Sequence, residues 1–248
     1  MKRHQDIKEL LEEVKETISF FDKQVDTAKT DEAVLKISSP KLKSTMEHLR
    51  SILEYCAHDI AETALGLDTN DRDIKRKLYF PYGKDEQSFK SMLGRIFKGL
   101  SGEYLQVVES IQPHKCGEDW LIKLCELTNF IKHNSFQNQD RENQGESETK
   151  VAGNGQVPGI ARVSGDGRVT IGKLSVGGRL MNPGGKLEIS NKRAVKDISN
   201  DLQNLFKVER SHEHVVFKDS ESGTDLIVLI KTSYQGISRF VDELYSLH

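Results

Sequence analysis

Cysteine is scarce in this sequence. The three present, Cys56, Cys116 and Cys125, are odd in number and show no Cys-x-x-Cys spacing, which argues against both a disulfide framework and a zinc knuckle. Long apolar runs are missing too. No stretch approaches the roughly 20 residues of a membrane span, and the N-terminal "MKRHQDIKELLEEVKETI" carries charges at helical spacing where a signal peptide needs an unbroken apolar core. The expectation is a soluble protein of the cytoplasm that does not meet a membrane. An excess of one charge sign is absent as well: 36 basic against 38 acidic residues leave a formal charge of -2, so no global field draws the chain to nucleic acid or anionic lipid, and such binding needs a local patch.

What is present suffices for a core. With 248 residues, 36% hydrophobic and 30% charged, the chain can form one large domain or two small ones. Residues 6 to 28 place Ile7, Leu10, Leu11, Val14, Ile18, Phe21 and Val25 at three- and four-residue intervals, the stripe of an amphipathic helix. A second helix begins at "SSPKLKS", where Ser39 can cap and Pro40 can occupy the first turn. Its apolar positions Leu42, Met46, Leu49, Leu53, Cys56 and Ile60 form the seam of a helix packed along another. After the charged, turn-like "LDTNDRDIKRKLYFPYGKDEQ", helical periodicity returns from Phe89 to Leu100 and from Tyr104 to Ile111, where Pro113 ends it. A last helix from about Glu118 to Ile131 buries Trp120, Leu121 and Leu124. Residues 1 to 134 are therefore expected to be a helical bundle.

Residues 135 to 157 lack apolar periodicity and are rich in Gln, Asn, Glu, Gly and Ser, which reads as a polar linker or mobile loop. From 158 to 248 a small α+β domain is expected. Period-two apolar positions separated by Asp-Gly, Gly-Gly and Pro-Gly-Gly suggest a small antiparallel sheet with hairpin turns, "EHVVFKD" adds a strand, and a helix from "GTDLIVLI" onward closes it, although "LIVLI" alone also suits a strand. The fold class is α+β.

The residues able to carry chemistry gather in "LCELTNFIKHNSF", residues 124 to 136. Asn129 lies one helical turn before His133, so the two share a face. A histidine of near-neutral pKa can act as general base or acid on a ribose hydroxyl, and Lys132 can add positive charge. The bland alternative has Lys132 and His133 complementing the negative end of the helix dipole, with Asn134 as C-cap. The cluster Lys75-Arg76-Lys77, followed by Tyr79, Phe80 and Tyr82, interleaves cations with aromatics as single-stranded nucleic-acid surfaces do, with Asp71 and Asp73 offsetting it. His58-Asp59 and His114 read better as polar groups bonded within the bundle. His212 and His214 would face one side of a strand and could hold a metal, but no third ligand stands at a recognisable spacing. The glycines of "GNGQVPG" and "SVGGRLMNPGGK" are turn glycines, since none opens a helix followed by Lys-Ser or Lys-Thr. Neither a metal nor a cofactor is called for.

Residues from about 46 to 133 resemble a group of bacterial proteins that share an "LRS" on an early helix, an "FP" after a loop, an "IQP" before the last bundle helix and an "N..KH" at its end. Here these are Leu49-Arg50-Ser51, Phe80-Pro81, Ile111-Gln112-Pro113 and Asn129 with Lys132-His133. More distantly, the helical part resembles HEPN domains, all-helical bundles of bacterial toxins and antiviral proteins, often dimeric. Many are metal-independent ribonucleases whose motif is an arginine, a polar residue, three more residues and a histidine. Laid on this chain, the polar residue is Asn129 and the histidine His133, but Thr128 stands where the arginine belongs and offers no charge to a phosphate. The resemblance thus implies a binding or regulatory protein with a degenerate HEPN-like bundle, recognising RNA, a nucleotide or a partner protein in bacterial defence or stress, and self-associating. The alternative is a metal-independent endoribonuclease that uses Asn129, Lys132 and His133.

Overall fold

The computed structural model describes residues 1–133, 138–153, 158–180 and 185–247. The chain is α+β and divides into two compact units, the first made of Met1–Asp22, Ser38–Asn138 and Asp219–His248, the second of Lys23–Ile37 and Gln139–Lys218.

In the first unit, α1 (His4–Thr30, which continues into the second unit) buries Ile7, Val14 and Phe21. The spacing of seven keeps one edge of the helix on its neighbour. That neighbour is α2 (Ser39–Ala64), which begins with Pro40 in its first turn and buries Leu42, Met46, Leu49, Leu53, Cys56 and Ile60, the seam expected from the sequence. The two helices run antiparallel, since Arg3 meets Asp59, Glu13 lies by His48, and Lys41 sits over Phe20. A short α3 (Arg72–Lys77) follows, started by the Asp71 carboxylate, which accepts from the amides of Asp73 and Ile74. Then come α4 (Glu86–Ile96), α5 (Gly102–Ser110), the single turn α6 (Pro113–Cys116) and α7 (Trp120–His133).

The C-terminal helix α9 (Leu226–Tyr245) also belongs to this unit. It was expected to close the sheet, but its stripe Leu226, Leu229, Ile230, Ile237, Phe240, Val241 and Leu244 is buried against α2, α5 and α7. At Gly236 an added Cβ would lie 2.3 Å from Trp120 Cζ2, so the indole of α7 rests on bare backbone. The ends of the unit are tied together at Asp59, which is fully buried. It accepts from the Arg3 guanidinium at 2.8 Å, the Arg3 amide at 3.2 Å and the Tyr245 hydroxyl at 2.6 Å.

The second unit holds the strands. The segment expected to be a polar linker at 135 to 157 contains β1 (Gln139–Ala152), the central strand of an antiparallel sheet ordered β2-β1-β7, with β2 (Ala161–Ser164) and β7 (Lys207–Asp219). Its polarity misleads because a strand paired on both sides draws its order from the backbone ladder, while its polar side chains find partners. Glu148 pairs with Arg162 at 2.7 Å and Glu142 with Lys218, and Arg141 donates to the carbonyls of Ala28, Asp31 and Val34 at the end of α1.

Two further pairs are antiparallel: β3 (Arg168–Ile171) with β6 (Leu187–Ser190), and the hairpin β4 (Ser175–Val176) with β5 (Arg179–Leu180). The hairpin turns on Gly177 and Gly178 at φ 56° and 78°, the left-handed pair that matches strand twist. The Asp166-Gly167 turn does not make the expected hairpin, because β3 pairs with β6. Val151, Val163, Leu187 and Ile189 close on Ile198 of α8 (Val195–Asp201), on Leu202 just beyond its end and on Phe206. Among the described residues, no helix is long and apolar enough to cross a membrane.

Candidate functional site

The site is built around the loop Phe80-Pro81-Tyr82-Gly83 of the first unit. Phe80 is buried, edge-on to Phe240 with ring centroids 5.4 Å apart, and its amide donates to Glu54 Oε2 at 2.9 Å. Gln112, wholly buried, clamps the other side. Its Nε2 donates to the Pro81 carbonyl at 3.1 Å and to that of Val108 at 3.2 Å, and its Oε1 accepts from the Gly83 amide at 3.2 Å. Gly83 has no room for a side chain, since a Cβ would lie 2.3 Å from the Phe89 nitrogen. The loop is therefore fixed, and it presents Tyr82 to α7. There the Tyr82 hydroxyl accepts from Asn129 Nδ2 at 3.4 Å.

Arg50 of α2 reaches the same face. Its guanidinium lies 5.0 Å from the Tyr82 ring centroid, donates to the sulfur of Cys125 and pairs with Glu54 at 2.8 Å. Cys125 precedes Asn129 by one helical turn, so Arg50 is anchored beside the polar face of α7. Burial pushes the Cys125 thiol up to about 12 even with the arginine beside it, so the sulfur is a neutral acceptor and no nucleophile. Burial likewise raises Tyr82. Thr128 is 2% exposed, and its hydroxyl donates to the Leu124 carbonyl at 2.6 Å, so it faces the core and cannot meet a phosphate. Asn129 is exposed. The side chains of Lys132 and His133 lie outside the described residues, as does Asn134.

The second sequence candidate, Lys75-Arg76-Lys77, occupies α3 with all three side chains exposed. Lys77 lines a small cleft of about 160 Å³ with Asp73, Leu67, Ile74, Leu78 and Arg95 of α4. Among the described residues, none of Arg72, Lys75, Arg76, Lys77 or Arg95 has a carboxylate within salt-bridge distance. Asp71 is spent on the start of α3, while Asp73, the nearest acid in sequence, is exposed and lines the same cleft as Lys77 and Arg95.

Of the remaining histidines, His58 lies near enough to feel the charge of Lys75, and His114 and His212 are bonded away from both sites. His58 and Asp59 do not pair: Asp59 serves Arg3 and Tyr245, and His58 Nδ1 is buried without a partner. His114 Nε2 lies 3.1 Å from Glu109, with the ring against Phe89. His212 and His214 do not share a face. Burial along β7 alternates through Arg210 and His212 and then shifts phase, leaving His214 exposed. His212 Nδ1 is 2.9 Å from Ser147 Oγ and its Nε2 3.5 Å from Glu32, so it is a buried link within the second unit. Among the described residues, no group of three His, Cys, Asp or Glu side chains could hold a metal.

Sequence reasoning named Arg50, Phe80-Pro81 and Gln112 only as pieces of a pattern, and it missed that they converge. The available signal was the motif itself: a buried glutamine before a proline and a glycine after "FPY" are what a clamped loop requires. Arg95 carried no local signal, since it approaches α3 only through the fold. Compared with known protein families, curated proteins and solved structures, the chain matches none of them.

Proposed function

We propose that this is a non-catalytic nucleic-acid-binding protein whose helical unit, a degenerate HEPN-like bundle, grips a phosphate backbone through the basic face of α3 and α4. One observation carries the reading: Arg72, Lys75, Arg76, Lys77 and Arg95 have no carboxylate partners among the described residues. Cations on a near-neutral protein are usually paired with acids, and five that form no ion pair, with Asp73 as the acid among them, provide the local patch that a chain of net charge -2 needs. Tyr79, half-buried beside it, supplies an aromatic edge. The loss of charge at Thr128, which is turned into the core, supports binding without cleavage.

The test is fluorescence anisotropy of a labelled single-stranded RNA as a function of salt. Four or so phosphate contacts predict a slope of log K against log salt of roughly -3, and Lys75→Glu/Lys77→Glu should weaken binding by tenfold or more and flatten the slope by about 1 to 2. Equal affinity for wild type and the double variant would end this reading.

One observation favours a second reading, the metal-independent endoribonuclease. Arg50 brings a guanidinium to the α7 face that Thr128 leaves uncharged, although Glu54 and Cys125 already occupy it. The same RNA incubated with EDTA decides. Cleavage by wild type that is lost in both Asn129→Ala and His133→Ala, with both variants still folded, establishes the enzyme. An uncut RNA leaves the binding reading in place.

A further inference from the structure

The first unit carries another surface, of opposite charge to the basic face. Two clefts, of about 650 and 360 Å³, meet at Lys123 and Thr224, which line both, and together they form a groove between α7 and the start of α9. Its apolar floor includes Trp120, Leu127 and Leu229, with Phe130 at 37% and Val228 at 54% exposure. One wall is a rigid turn. The Asp219 carboxylate accepts from the Ser222 amide and hydroxyl at 2.9 and 2.7 Å, the Gly223 amide donates to the Asp219 carbonyl at 2.8 Å, and the Asp219 amide donates to the Thr224 carbonyl at 2.9 Å. Such a wall needs no ordering when a ligand arrives.

The lining is acidic, with Glu118, Asp119, Glu126, Asp219, Glu221 and Asp225 against Lys123. Four of these carboxylates are engaged: Asp119 with Lys123 at 2.8 Å, Glu126 with Lys84 at 2.9 Å, Asp219 in the turn, and Asp225 on the amides that open α9. Glu118 and Glu221 are exposed and have no ion pair among the described residues. A nucleic acid is repelled by this surface. The combination of exposed apolar side chains with free carboxylates at the rim matches a segment that is apolar on one side and cationic on the other.

We propose that this groove docks a basic amphipathic segment of a partner protein, with apolar residues seated against Val228, Phe130 and Leu127 and lysines or arginines paired with Glu118 and Glu221. The surface is independent of the nucleic-acid face, and either assignment can fail alone.

The probe is a fluorescein-labelled peptide of about fourteen residues with Leu at helical i, i+3, i+4 spacing and Lys elsewhere, and a counterpart with Glu for every Lys. Titrated with the full chain, the Lys peptide should bind and the Glu peptide should not. Glu118→Lys/Glu221→Lys should weaken the Lys peptide about tenfold or more, the effect expected of residues that carry binding energy, while the control Glu9→Lys/Glu16→Lys on exposed positions of α1 stays within about twofold. Val228→Asp separates apolar docking from bulk charge attraction: it adds a negative charge, so attraction alone would tighten binding, whereas loss of the apolar seat weakens it. Absence of binding, an equal loss in the α1 control, or undiminished binding by Val228→Asp overturns the proposal. Sedimentation of wild type beside Val228→Asp covers the remaining occupant, because a dimer that the substitution dissociates gives the groove to a second copy of this chain and overturns the partner segment.

Discussion

Replacing Gln112 with leucine tests how the candidate site is held. Leucine is similar in size and suits the buried position, so most of the loss falls on the hydrogen bonds. Gln112 Nε2 now serves the Pro81 carbonyl, and Oε1 serves the Gly83 amide; both bonds are buried. Without the amide these two backbone groups are stranded, at about 1–3 kcal/mol each, so a loss of roughly 2–6 kcal/mol is expected. The Val108 carbonyl, the third partner, adds less because it can accept elsewhere.

The assay has a built-in reporter. Trp120, the single tryptophan of the chain, is 4% exposed in the first unit, so its fluorescence in urea follows that unit. With an m-value of about 2 kcal/mol/M, the midpoint should fall by roughly 1–3 M. Gln112→Glu should fare no better, because it keeps an acceptor for Gly83 but loses the donor to Pro81 and buries a carboxylate. A midpoint for Gln112→Leu within about 0.3 M of wild type, less than 1 kcal/mol, would refute the clamp and show that the 80–83 loop stands without it.

Three further outcomes follow from the geometry. Gly236→Ala forces its methyl against the Trp120 indole and should cost about 1–3 kcal/mol of overpacking, together with a shift in the tryptophan emission maximum. In the second unit, Arg210→Met takes a buried donor from the carbonyls of Ser190 and Arg193 and from the Thr149 hydroxyl, which keeps only its bond to Asn191, and removes the guanidinium beside Glu32. It should cost about 3 kcal/mol or more, read as faster amide exchange in β1 and β6. His212 is lowered from the usual histidine value by burial, and Arg141 and Arg210 add to this against the opposing Glu32. Because the unfolded chain binds the proton first, the second unit keeps full stability above about pH 6.5 and loses it as pH falls below that value, until the folded histidine titrates as well. His212→Gln should remove this part of the slope in amide exchange of β7 between about pH 5 and 7.

The long helices of the first unit were legible because each writes its own period, whereas α3 lies in the stretch read as turn-like and α6 starts at the Pro113 read as a break. The seam of α2 from Leu42 to Ile60 and the stripe of α9 from Leu226 to Leu244 are buried at the positions the three- and four-residue spacing selects. What the period does not write is the partner. The stripe of α9 fits a sheet or a bundle equally well, and only the fit of Trp120 onto Gly236 and of Phe80 onto Phe240 directs it to the helices. In β1 the failure was of another kind. Its outer residues are polar on both faces, so no alternation marks it, and the information sits in neighbours distant in sequence: Arg162, Lys218, and the carbonyls at the end of α1.

The candidate site follows the same division. Asn129 was found because a polar residue one turn before a histidine is a local signal, whereas Arg50 lies 75 positions from Cys125 and was visible only as part of "LRS". Thr128 shows why local signals cannot settle chemistry alone. In the proposed HEPN-like alignment it stands where a phosphate-holding arginine would be, and the fold turns it inward onto the Leu124 carbonyl, so a simple Thr128→Arg change would have to bury a guanidinium in the core. A charged residue there without a partner costs several kcal/mol. Restoring the motif letter by letter should therefore unfold the first unit before it could create a nuclease, and the Trp120 urea midpoint of Thr128→Arg distinguishes that outcome from a folded, RNA-cutting variant.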